Sequence, residues 1–426
     1  MNEPRAHWQA EWGMSVSVVA DSNREPGVGT APAGLGAVSS GDGAGSARVI
    51  GVDVTRGMAL MGMFAVHIFE TLHDDDTPSK THMVMSGHAL ATFVLLAGVS
   101  ITFITKRSGG GSWLTDRPTA AGLATRALIL VLLGMLLTSV LGPESDVILA
   151  YYGLMFLFAI PLLRLPSRVL VGISIGLVLI APLLVLASFN TGLPDEEPGL
   201  AALAHPVQVF VPLLVTGDYP LVNYMALICV GMVIGRLDLS NARVGIGLTV
   251  GGVVLAASSW LLSTLLLFKL GGLEHLRAAA PPRVSAEAAQ NIILWEPDDV
   301  YSWWWLVGRS AYTTTPFRMV HDIGFAMAWL GLCLLITRSL RGRWALSPLA
   351  AAGAMSLTLY TAQAIVLESS FLEDHPIQLF FTMVYVALSF ALLWRQGGRR
   401  GPLEALVTGA SRRARRFAES HPRSSP

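Results

Sequence analysis

The sequence predicts an all-α fold, a polytopic membrane bundle of ten transmembrane helices with both termini cytoplasmic. Three observations carry that prediction. The 426 residues are 53% hydrophobic and only 14% charged, with a mean hydropathy of +0.56, which excludes an ordinary soluble enzyme. Apolar stretches recur at 57–72, 87–105, 125–142, 147–164, 168–189, 219–236, 244–268, 318–337, 349–368 and 376–395. Most are near the ~20 residues that a helix needs to cross a bilayer. Finally, a formal net charge of zero hides a segregation of sign. One set of connections carries Lys106, Arg107, Arg117, Arg126, Arg164, Arg168, Arg236, Arg243, Arg338, Arg341 and Arg343. The alternate set reads LHDDDTPSK, GPESD, NTGLPDEEPG and LEDH. Short cationic loops stay inside, which fixes the orientation; the long 269–317 connection carries a few cations but weighs little.

Taken in order, residues 1–47 are rich in Gly, Ala and Ser and read as a disordered N-terminal arm. Residues 48–396 form the transmembrane domain and 397–426 a basic cytoplasmic tail. The first and third apolar stretches are short, so their polar ends begin inside the interface. Residues 203–216 are too short and proline-interrupted to span, and read as an interfacial or re-entrant segment. Residues 300–312, VYSWWWLVGRSAY, concentrate aromatics as membrane-interface elements do. Each is placed either to roof an outward cavity or to act as a simple anchor. No internal repeat and no Gly/Pro-broken helix pair marks the inverted-repeat transporter plan. Cys229 and Cys333 sit in apolar runs and suggest neither a disulfide nor a metal site. No nucleic-acid motif is present.

The chain is organised around Arg48 to Lys106. In its first helix Arg56 lies about 20° from His67, Asp53 about 40° and Glu70 about 60°, at the helical period. Four ionisable groups on one stripe must face protein or water, since lipid would not tolerate them. A lone structural histidine is the plain alternative, but ionisable groups inside membranes tend to mark sites. On the expected topology, His67, the His321–Asp322 pair and Gln363 lie at one outer depth. Asp146, Tyr151 and Tyr152 open the fourth stretch and Asp218, Tyr219 and Asn223 the sixth. Asp322 is expected to pair with Arg318 one turn earlier, leaving His321 free to contact an acceptor. At the inner ends sit Arg56, Lys106, Arg107, Arg126 and Arg236. The positive-inside rule accounts for most of these, whereas Arg56 shares the stripe with His67 and suits bidentate phosphate binding. Arg56 and His67 are about 16 Å apart along the axis. A carrier arm held inside by its phosphates would place its reactive end near an outer general base, which activates a hydroxyl or amine.

The order R-x4-D-x2-RG (Arg48, Asp53, Arg56, Gly57), an apolar helix with His67, then FVLLAGVS at 93–100 resembles the multipass membrane acyltransferases. The likeness is to bacterial relatives of the lysosomal heparan-alpha-glucosaminide N-acetyltransferase catalytic domain. DVILAYYGL (146–154), TGDYPLVNYMALICVGMVIGR (216–236), GAMSLTLYTAQ (353–363) and RGPLEALV (400–407) extend it over about 48–407. The resemblance implies transfer of an acyl group, foremost acetyl, from cytoplasmic acyl-CoA to a hydroxyl or amine of a cell-envelope glycan or glycolipid. It implies a multi-pass protein of the plasma membrane with the lipid bilayer and that acceptor as partners, no nucleic acid and no metal. His67 would be the reactive histidine, with His321 and Asp322 beside it, and Arg56, Asp53, Arg107 and Arg126 would hold the carrier. Gln363, Tyr151, Asn223 and Glu70 would meet the acceptor. The lysosomal enzyme has its reactive histidine after the first span, so His82 and His88 are the alternative catalytic residues. Gln363 stands where relatives often show a histidine, and glutamine cannot exchange a proton near neutral pH. A transporter or flippase, and a catalytically silent scaffold, are the competing classes.

Overall fold

The computed structural model describes residues 49–70, 79–106, 117–142, 147–188, 191–279, 294, 302–369 and 375–420. The expected arm at 1–47 and Arg107 lie outside them. Among the described residues there is no β-strand. The helices are α1 (Ile50–Ile68), α2 (Lys80–Met85), α3 (His88–Lys106), α4 (Arg117–Leu141), α5 (Leu149–Leu162), α6 (Ser167–Ser188), α7 (Pro206–Val211) and α8 (Leu221–Gly235). They continue with α9 (Ala242–Phe268), α10 (Gly272–Ala279), α11 (Pro316–Ile336), α12 (Leu340–Ala345), α13 (Ser347–Gly353), α14 (Ser356–Glu368), α15 (Pro376–Gln396) and α16 (Pro402–Ser420).

Six helical segments are long and apolar enough to cross a membrane, or up to eight if each of two bent pairs is one span. The bent pairs are Pro206–Thr216 with Leu221–Gly235, at 58°, and Ser347–Gly353 with Ser356–Glu368, at 81°. They correct the expectation that no helix pair is broken. The first break spans residues 217–220 and ends at Pro220, which has no backbone donor, and a two-residue join, Ala354 and Met355, carries the second. The 203–216 stretch is therefore a short 3-10 turn, α7 and a π-turn leading into α8. The two apolar stretches outside this count are α1, with its charged start, and α5, of 14 residues.

Burial separates the core from the lipid-facing shell. The α2–α3 segment is mostly enclosed, and Val94, Leu95, Leu96 and Ala97 are fully buried. The outer helices instead keep exposed apolar rows at helical spacing. These are Leu128, Leu132, Leu136 and Val140 on α4, Ile175, Leu179 and Leu183 on α6, and Val250, Val254 and Leu261 on α9. Apolar rows of that length belong against lipid tails, not water.

Inside the bundle small residues let backbones touch. A Cβ on Gly57 would lie 2.1 Å from Leu349 O, and one on Gly353 would lie 1.9 Å from Asp53 O, so α1 and α13 cross at glycines. Helix α1 begins at Ile50 and so includes Asp53 and Arg56, as expected of a first helix with a polar start. Asp53 is buried, and Arg56 donates to Ser100 Oγ (2.6 Å), Gly353 O (3.4 Å) and Asp53 Oδ1 (3.5 Å). The charged turn is satisfied by protein and continues the helix inward.

The tail is not a free basic extension. Its α16 lies against α4, and a Cβ on Gly122 would sit 3.2 Å from Ser411 O. At its start the Glu404 carboxylate accepts from Leu357 N (2.8 Å), Thr358 N (3.2 Å) and Thr358 Oγ1 (2.6 Å). The N-cap residue of α14, Met355, makes no side-chain cap. Glu404 thus caps the orphan amides of α14 from another helix, and its negative charge suits a helix N-terminus.

Candidate functional site

The last turn of α1, the short α2 and the middle of α14 meet at a cavity of about 1010 Å³. His67, His82 and Gln363 line it, with Tyr219, Tyr312 and Tyr360 among the other walls. Gln363 Nε2 lies 2.6 Å from His67 Nδ1. A neutral His67 accepting there keeps its proton on Nε2. His82 Nε2 reaches Phe69 O at 2.8 Å and Val66 O at 3.1 Å. These carbonyls belong to the open end of α1, where the last turn has no intrahelical donors. A nitrogen between two carbonyl oxygens must carry the proton, so the lone pair of neutral His82 is on Nδ1. That Nδ1 is buried with no hydrogen-bond partner, and so is Gln363 Oε1. His82 is 5% exposed and Gln363 2%.

The roof is a strained loop. Tyr312 and Thr314 both line the cavity and have positive φ, 64° and 48°. Each such conformation costs about 1–3 kcal/mol and persists only when its surroundings enforce it. Asn223 Nδ2 donates to Thr314 O at 3.3 Å, and Thr315 Oγ1 to Gly308 O at 2.6 Å. Trp305, from the 3-10 turn Trp303–Val307 of the aromatic segment, and Thr216 to Pro220 complete the walls.

A second polar group lies elsewhere in the bundle. Arg318 Nε donates to Asp322 Oδ2 at 2.9 Å, the expected pair one turn apart. Its Nη2 donates to Ser86 O (2.6 Å) and its Nη1 to Arg309 O (3.4 Å). The guanidinium lies over Gly87, where φ is +73° and a Cβ would be 2.4 Å from Nη2, so only glycine fits. His321 is engaged at both ring nitrogens, Nδ1 with Ala256 O and Nε2 with His88 Nε2, each at 3.1 Å.

Several expected roles are corrected by these positions. His321 is not free to meet an acceptor, because α9 and α3 take both its nitrogens, and neither it, Asp322 nor His88 lines the cavity. Asn223 holds the roof instead of lining the site. Tyr151 is fully buried against Tyr219, with ring centroids 5.5 Å apart, and also stays behind the wall. Glu70 does line the cavity, but α1 ends at Ile68, so it belongs to the exposed mouth and not to the helical stripe. Arg236 donates to Leu163 O and Leu165 O, closing the end of α5. Arg126 stacks over Phe156, 5.5 Å from the ring centroid, and its buried Nε has no partner. Sequence reasoning missed the capping roles of His82 and Glu404 and the cavity-lining Tyr360, whose hydroxyl accepts from Ile148 N at 3.2 Å.

With this geometry in hand, the comparison with known families is decisive. The family described as heparan-alpha-glucosaminide N-acetyltransferase, catalytic, matches residues 48–262. The chain belongs to that family. A second family, described as a protein of unknown function (DUF418), matches residues 288–413. No curated protein matches the chain. Membership in the heparan-alpha-glucosaminide N-acetyltransferase catalytic family makes this a multi-pass, transmembrane acetyltransferase-type chain. His67 and His82 fall in the first matched segment, whereas Gln363 and Glu404 fall in the second. The cavity is built from both.

Proposed function

We propose that the protein transfers an acetyl group from acetyl-CoA, held on the cytoplasmic side, to an amine of a cell-envelope glycan or glycolipid entering the outer cavity. In this reading the chain spans the plasma membrane ten times with both termini inside. The observation that carries it is the pair of histidines at the cavity, one with a lone pair and one with an N–H to offer. His82 Nδ1 removes the proton from the acceptor nitrogen, which attacks the thioester carbonyl carbon. His67 Nε2–H donates to the carbonyl oxygen as negative charge develops there. The C–S bond breaks, an amide C–N bond forms, and the thiol leaves with the proton returned by His82.

This differs from the reading in which His67 is the base, because Gln363 occupies His67 Nδ1 while Val66 O and Phe69 O orient His82. Gln363 then need not exchange a proton; it fixes a tautomer. An amine is favoured over a hydroxyl because two buried acceptors, His82 Nδ1 and Gln363 Oε1, await donors. A hydroxyl has one hydrogen to give and an amine two or three. At the inner end the unpartnered Arg126 Nε suits a phosphate of the donor. Arg56, already bonded to Ser100, Gly353 and Asp53, shapes that end more than it binds there.

A second reading, carriage of a small polar molecule without chemistry, draws on the two broken helix pairs, a feature of transporter sites. One experiment separates them. Purified protein in lipid nanodiscs is given acetyl-CoA and glucosamine, and both thiol release and acetylated product are measured. Stoichiometric thiol and product, lost in His82→Ala, are expected. Neither product nor thiol, with glucosamine crossing sealed proteoliposomes, would sink the transferase reading.

A further inference from the structure

The mouth of the cavity has a charge pattern that the proposed chemistry does not use. Glu70, Asp195, Glu196, Asp218 and Glu368 all line it, and all five are exposed. No lysine or arginine is among the described lining residues. The carboxylates come from four places in the chain: the end of α1, the loop after α6, the turn before α8 and the end of α14. No helical period or single loop imposes that convergence. The positive-inside rule does not require it either, since acidic residues contribute little to orientation. Behind them His82 and Gln363 line the same cavity, and His82 Nδ1 and Gln363 Oε1 are each buried without a partner. The mouth repels anions, and the interior holds two acceptor atoms, His82 Nδ1 and Gln363 Oε1, that lack a donor.

We infer that the acceptor is a small polyamine-like cation, carrying positive charge beyond its reacting nitrogen, and that polyanionic glycans are turned away. This rests on the reading of the cavity as the acceptor site. Like charges held within a Debye length, about 10 Å at 0.1 M salt, act together, and a cleft with apolar walls focuses their field. A sulfated or uronate-rich chain meets repulsion from every side of the mouth. An oligomer of amino sugars, or an aliphatic polyamine, meets attraction at the mouth and acceptor atoms at the end.

The test is binding, read separately from catalysis. The full chain in nanodiscs of neutral lipid is titrated by calorimetry with a glucosamine trimer, with spermidine and with glucosamine 6-sulfate, which keeps the amine but cancels its charge. The trimer is expected to bind at least about 10-fold more tightly than the sulfate at low salt, with the gap closing toward ~0.3 M as screening sets in. Spermidine is expected to compete with the trimer. The variant D195N/E196Q/E368Q is expected to flatten the preference, and the salt series on the unaltered protein carries the test if that variant does not fold. Equal affinity for trimer and sulfate, a preference indifferent to salt, or failure of spermidine to compete would each overturn the inference. Charge-selective binding without acetyl transfer leaves it standing and sinks the transferase reading. Transfer without charge selection does the reverse.

Discussion

Two histidine pairs lie near the same end of α3, and they are built to opposite ends. His88 and His321 face each other at 3.1 Å, closed in by Ala256 O, Phe325 and the Arg318–Asp322 pair. His67 and His82 both line a cavity, whereas His88 and His321 do not; an unpartnered Nδ1 is common to His82 and His88. The residue types are the same and so is the expected depth. What differs is whether the rings line a cavity or are shut in by neighbouring helices. A histidine shut in between helices with no cavity beside it fastens them; one that lines a cavity with a nitrogen unpartnered has chemistry left over.

Substitutions at five positions test that contrast, from the largest effect to the smallest. His82→Ala is expected to lower acetyl transfer by about 10²–10⁴-fold, the range for a general base. His321→Ala should leave turnover per folded molecule within a few-fold, and if the two outcomes exchange places the contrast is inverted. Asp322→Ala leaves Arg318 buried without its carboxylate, and a loss of ~3–5 kcal/mol is expected from denaturant titration. A change below ~1 kcal/mol, small against that range, would show that the closed pair is not a fastening. Glu404→Ala removes the cap of α14 and is expected to cost ~0.5–2 kcal/mol, read as faster hydrogen exchange at the Leu357 and Thr358 amides. Unchanged exchange there would break the link between tail and site. Gln363→Leu loses one hydrogen bond to His67, a change of ~0.5–1.5 kcal/mol or up to roughly 10-fold in transfer. Gln363→Asn should recover part of it only if the shorter amide still reaches Nδ1.

Much of the scaffold was legible in the sequence because the bilayer imposes length and sign. Each of the ten apolar stretches coincides with a helix or one of the broken pairs, although six to eight qualify as spans by length and composition. The Arg318–Asp322 pair was legible too, since an i,i+4 contact depends on one helix alone. The candidate site was less so. His67 and Gln363 could each be singled out, but their hydrogen bond joins residues 296 apart, and a helical period says nothing about which helices meet. His321 was misread for the same reason, since α9 and α3 supply what occupies it. The proline-interrupted 203–216 segment was legible as irregular, but the bend at 354–355 escaped because short apolar pieces on either side of a bend sum to the same hydropathy as one straight helix.

The cap that Glu404 places on α14 sets an order of events during synthesis. Helix α1, with His67, leaves the ribosome first; Gln363 follows some three hundred residues later, and the carboxylate that fixes Gln363's helix comes 41 residues after that. Helix α1 therefore carries a polar stripe some of whose partners do not yet exist when it is made. Asp53 and Arg56 can satisfy each other meanwhile, being one turn apart, while His67 waits for the far end of the chain. The site closes only once α16 has been made, so a nascent chain halted short of it would have spans but no finished cavity.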